Sequence, residues 1–170
     1  MRILSIVLAV GSVFSVAAAQ PYRLVKDQFR FDTTSALAEP VATPPNVVQA
    51  ILVSMGMKEL TEGKCGNEFK NCLRSGRIRL AKSGAEALLV IGSFPLTGAD
   101  NDWFWIVRFV NNRPELLFIG CNEVKLRESY SKGLRDIETV LYLSPSTNFR
   151  TYKFDGHQYR LTRNRWIDKR

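Results

Sequence analysis

Trp103-Phe104-Trp105-Ile106-Val107-Arg108-Phe109-Val110 is the stretch that decides the fold of this chain. A strand with one wet face alternates apolar and polar residues, because successive side chains point to opposite sides of the sheet. Over most of this run the alternation is missing, so both faces are expected to be covered and the strand to be central. Asn111-Asn112-Arg113-Pro114 reads as the hairpin turn that follows, with residues 116–119 as the returning strand. Upstream, residues 77–80 alternate arginine with aliphatic side chains, and residues 86–91 make a second apolar run. Downstream, strands are expected over residues 138–143 and 151–154. Asp155-Gly156 is then the turn that returns the chain through residues 158–162.

One segment carries a helical period instead. Pro44-Pro45-Asn46 suits a first helical turn, where a missing N–H costs nothing, and Val47, Val48, Ile51, Leu52 and Met55 follow at helical spacing. Gly56 or Gly63 is placed to end it. The expected class is therefore α+β: an antiparallel sheet of about six strands with one amphipathic helix packed on it.

The chain of 170 residues is 45% hydrophobic and 24% charged, which excludes a wholly disordered polypeptide. Residues 1–19 read as a signal peptide. Arg2 precedes an apolar run over residues 3–16, and Ala17-Ala18-Ala19 supply the small residues of a cleavage site before Gln20. The expected location is periplasmic or secreted, with no transmembrane segment after cleavage. Residues 20–45 are expected as an extended lead-in, in which Tyr22, Leu24, Phe29 and Phe31 form a short strand or clamp and Pro40, Pro44 and Pro45 a linker. Residues 46–170 then form a single domain.

In an exported chain, three cysteines invite one disulfide. Cys65 and Cys72 bracket a short loop whose closure would contribute on the order of 2–3 kcal/mol, while Cys121 sits in an apolar neighbourhood; pairing through Cys121 stays open. Three Cys and one His lack paired ligand spacing, so no metal site is expected. Asp100-Asn101-Asp102 reads as a turn, because the Trp103 run follows where a calcium loop needs further oxygen ligands. Phosphate-binding glycine loops and the serine nucleophile elbow are absent as motifs, and no cofactor is expected.

Charge is the more informative feature. The formal balance is +8, and the excess is uneven. Residues 64–82 carry six bases against one acid, and residues 150–170 seven against two. On strands, Arg77 and Arg79 share one face and Arg163 and Arg165 another. Together with Arg160 and Trp166 they are the candidate binding residues, with Tyr159 and Phe154 as further stacking planes. Such a surface suits an acidic protein or an anionic envelope polymer, and export argues against nucleic acid. Solvated arginines that keep a strand edge from pairing are the competing explanation.

Gly133-Leu134-Arg135-Asp136-Ile137, followed by Tyr152-Lys153-Phe154-Asp155-Gly156-His157-Gln158-Tyr159, resembles the C-terminal hairpin of small exported bacterial proteins of unknown function. The resemblance covers about a quarter of the chain. It implies an exported bacterial domain with no defined activity, and it carries over no catalytic residue.

Two classes of function follow. The first is an exported non-catalytic binding domain that engages an acidic macromolecule through its basic segments. A periplasmic inhibitor or immunity protein is its narrower form; ordinary lysozymes, being basic, would be repelled. The second is a small hydrolase. It would use paired carboxylates among Glu115, Glu123, Glu128, Asp136 and Glu138, or a Cys121–His157 dyad with Asp155 or Asp136 orienting the ring. The partner's identity and the oligomeric state are not encoded in any motif.

Overall fold

The computed structural model describes residues 29–32, 35–56, 72–84, 86–92 and 103–168. In chain order the elements are β1 (Arg30–Phe31), β2 (Pro40–Val41), α1 (Pro45–Ser54), β3 (Leu73–Arg79), β4 (Glu86–Gly92) and β5 (Trp103–Val110). They continue as β6 (Arg113–Cys121), β7 (Glu123–Ser131), β8 (Leu134–Leu143), β9 (Ser146–Phe154) and β10 (Tyr159–Asp168). The leader, Cys65 and Asp100-Asn101-Asp102 fall outside the described residues.

All strand pairs are antiparallel, and there is one helix among the described residues, as expected for the class. The expected single sheet of about six strands is corrected to two sheets of five, ordered β2-β3-β4-β5-β6 and β1-β7-β8-β9-β10. The chain passes from one to the other at Cys121-Asn122, where Asn122 takes a left-handed φ of 71°. At another corner the sheets touch directly: Ala81 bridges Leu134, and the Arg135 N–H donates to the Leu80 carbonyl at 2.8 Å.

β5, an interior strand beside the edge strand β6, is covered on its two sides by different layers. Phe104 and Ile106 of β5 join Leu89, Ile91 and Phe118 on the face packed against Val124, Leu126, Ile137 and Phe154 of the second sheet. Trp105 and Val107 point the other way and form a second cluster with Val47, Ile51 and Leu52 of α1. The layers therefore run helix, sheet, sheet, and the middle of the first sheet is covered on both faces. This is why the Trp103 run lacks alternation.

The helix begins with Pro45 in its first turn and ends at Met55, after which Gly56 takes φ 69°. The lead-in supplies an edge strand to each sheet. Phe31, 1% exposed, sits in the core between them, and Pro40-Val41 pairs with Ser75-Gly76. Cys72 is buried beside the start of β3, and Cys121 is a half-buried free thiol.

Candidate functional site

The helix covers the outer face of the first sheet; the outer face of the second is charged. Its orientation is fixed by Ile137 and Thr139 of β8: Ile137 lies in the core and Thr139 faces Gly120 of the opposite sheet. Val140 therefore points outward, and so do the residues in register with it. Glu123, Val140, Phe149 and Arg165 form one cross-strand row on that face. Lys125, Glu138, Thr151 and Arg163 form the next, and Lys153 stands opposite Arg160.

Acids and bases are not evenly mixed along these rows. On the β1–β7–β8 side the carboxylates are taken up. Arg30 meets Glu123 at 2.7 Å, the Tyr142 hydroxyl donates to Glu123 at 2.8 Å, and Arg127 donates to Glu138 at 2.6 Å. Burial, followed by its bond to the Glu123 carboxylate, raises the Tyr142 hydroxyl above its ordinary value. On the β9–β10 side the guanidiniums outnumber the acids. Arg165 lies over the Phe149 ring at 5.2 Å from its centroid, and Arg163 projects beside it. Arg160 donates to Asp155 at 3.1 Å.

β10 is the edge of its sheet, and residues 160–168 are all exposed. After Leu161 a bulge shifts the pairing by one residue, so that Arg163 rather than Thr162 stands opposite Thr151; the Thr162 hydroxyl donates to the Thr151 carbonyl at 3.1 Å. Beyond the bulge the strand is tied to β9 from the inner side. Asn148, fully buried, donates to the Asn164 side chain at 2.6 Å, and Ser146 donates to Asp168 at 2.6 Å.

The structure separates residues that the sequence grouped. Arg163 and Arg165 do share a face with Arg160, but Trp166 stands opposite Asn148 and points to the other side of the strand. Tyr159 and Phe154 are core residues, 8% and 5% exposed, and stack on none of the candidate arginines; Phe154 carries Arg108 at 5.5 Å from its centroid, and the Tyr159 hydroxyl donates to the Arg135 carbonyl at 2.7 Å. The ring that does stack is Phe149. Counting outward from the Phe154–Tyr159 pair places Asn164 opposite it, and only the bulge brings Arg165 there.

Arg77 and Arg79 belong to the other sheet. They alternate with the core residues Ile78 and Leu80 and so lie on the helix side, where Arg77 meets Glu86 at 3.6 Å. Arg77 and Arg79 therefore occupy the opposite outer face of the sandwich from Arg160, Arg163 and Arg165.

The candidate catalytic groups are likewise dispersed. Arg108 donates to Glu115 at 2.5 Å, and this bond, assisted by the charges of Arg108 and His157, holds the Glu115 carboxyl below its ordinary range. His157 sits in the exposed β9–β10 turn within electrostatic range of Glu115. Cys121 is six residues further along β6, about 20 Å away at the rise of a strand, so Cys121 and His157 do not form a dyad. Asp136 and Glu138 share the outer face of β8. Asp136 is 3% exposed and accepts from the Ser129 hydroxyl at 2.7 Å, and Glu138 is engaged by Arg127. Among the described residues no group of three His, Cys, Asp or Glu is placed to hold a metal, and no helix is long and apolar enough to cross a membrane.

The turn itself is built by Asp155. Its carboxylate accepts from the Gln158 N–H at 2.9 Å and the His157 N–H at 2.8 Å, and from Arg160. These bonds lower its pKa to about 2, with the backbone donors contributing most.

No protein-family model matches this chain, and no match was found among curated proteins or solved structures.

Proposed function

We propose that this chain is an exported, non-catalytic binding domain that engages an acidic macromolecule through the outer face of β9 and β10. One observation carries the reading. Lys153, Arg160, Arg163 and Arg165 converge on one exposed strip, while Glu123 and Glu138 of the same sheet are engaged by Arg30 and Arg127 on its far side. A strip in which the bases outnumber the one acid paired within it, Asp155, draws a polyanion and orients it. Phe149 adds rigidity, because a guanidinium resting on a ring is held flat and keeps its donors free for a carboxylate, sulfate or phosphate.

The acidic partner is a protein or an anionic envelope polymer. An inhibitor or immunity protein directed at an acidic enzyme uses the same strip and differs only in what it meets. A hydrolytic reading has less support, because three of its five candidate carboxylates, Glu115, Glu123 and Glu138, are engaged in ion pairs on separate strands.

Binding to a labelled sulfated polysaccharide and to polyglutamate tests this reading. The protein is expected to bind one of them with an affinity that falls as salt rises. Arg163→Glu with Arg165→Glu is expected to weaken that binding by about tenfold or more. Salt-independent binding, or binding unchanged by the double reversal, would remove the strip from the function.

A further inference from the structure

Resting on that reading, we propose that β10 is a strand-addition site: an extended acidic segment of another polypeptide pairs with its free edge as a sixth strand of the sheet. The edge is open. β10 pairs with β9 on one side, and among the described residues no backbone hydrogen bond reaches it from the other. An unpaired edge presents a row of N–H and C=O groups spaced to receive a strand. Beyond the bulge, residues 163–168 form a regular run of six, held straight by the Asn148 and Ser146 bonds to Asn164 and Asp168. That length matches an average strand.

The side chains specify what is added. Arg163 and Arg165 stand on one face about 7 Å apart, the repeat of alternate residues along a strand. On the other face Trp166 is 52% exposed and presents an apolar surface. A complementary strand therefore carries carboxylates at alternate positions and apolar residues between them. Cross-strand pairs of opposite charge stabilise such an arrangement, and like charges oppose it. For the same reason a second copy of this chain centred on the arginine pair is a poor occupant. Antiparallel self-pairing centred on Asn164 sets Arg163 against Arg165 in both halves, within a chain whose formal charge is already +8. The arginines oppose that pairing and favour an acidic strand.

The test uses capped decapeptides alternating glutamate with valine, measured against the protein by fluorescence anisotropy beside polyglutamate and the sulfated polysaccharide. Two further versions carry N-methyl groups on every second amide, in one phase or the other. Methylation deletes N–H donors while keeping every charge. Strand addition uses the donors of one phase only. One methylated version is expected to bind like the parent and the other at least about tenfold more weakly. Amide exchange within residues 163–168 is expected to slow with the parent peptide. If both methylated peptides bind like the parent, or if the parent fails while a polyanion binds, strand addition is wrong and the electrostatic strip stands. If neither the peptide nor either polyanion binds, both readings fall.

Discussion

Asp155 shows how a single carboxylate shapes the exposed end of the candidate face. It gathers two backbone N–H groups and Arg160 around one turn, and so fixes where β10 begins. Its folded pKa, about 2, lies below the ordinary 3.8, so the stability it contributes is whole above about pH 4 and is lost as pH falls through 3.8 toward 2. Asp155→Ala is expected to lower the unfolding midpoint at neutral pH, with the gap to the parent chain closing near pH 2; a gap that persists in acid would show that the turn is held otherwise. Gly120 is a second decisive residue. A Cβ there would come within 2.5 Å of the Phe118 ring, which is itself wedged edge-on between Tyr152 and Tyr159. Gly120→Ala is expected to cost about 1–3 kcal/mol in denaturant unfolding, because the displaced ring has nowhere to go. At this scale the sequence is readable only in part. The Asp155-Gly156 turn could be seen in it, whereas the Arg165–Phe149 contact depends on a one-residue bulge that no residue type announces.

At the scale of elements, α1 and β5 were the plainest to read, because each carries one strong periodic or apolar signal. The helix matters because it covers the Trp105–Val107 side of the first sheet. Ile51 is fully buried, as is Val47, and Ile51→Ala is expected to cost about 2–4 kcal/mol by equilibrium unfolding. A loss under about 1 kcal/mol would mean that the helix is dispensable packing. β7 was not legible. Only Val124 and Leu126 of β7 face the core, and the irregular register between Leu126 and Tyr130 breaks the alternation that marks a strand. The distal half of β10 escaped for a related reason. With residues 160–168 exposed on both faces, there is no buried side to impose a period of two. The unread β7, with β2 expected as linker, left too few strands for two sheets, so a single one was expected. The unread half of β10 hid the edge on which the candidate site is built.

Across the whole molecule, the arginine pairs Arg77/Arg79 and Arg163/Arg165 are separated by the sandwich, and this makes their contributions separable by experiment. Arg77 and Arg79 lie on the helix side, and Arg163 and Arg165 on the outer face of the other sheet. Reversing either pair to glutamate changes the net charge equally, so a response to overall charge alone cannot tell them apart, whereas a localised face can. The most direct measurement is the salt concentration that elutes three proteins from a sulfated resin: the parent, Arg163→Glu/Arg165→Glu, and Arg77→Glu/Arg79→Glu. The β10 pair is expected to elute at markedly lower salt than the parent and the β3 pair close to it. Equal shifts for the two pairs, or none for the β10 pair, would contradict a binding face on β9 and β10.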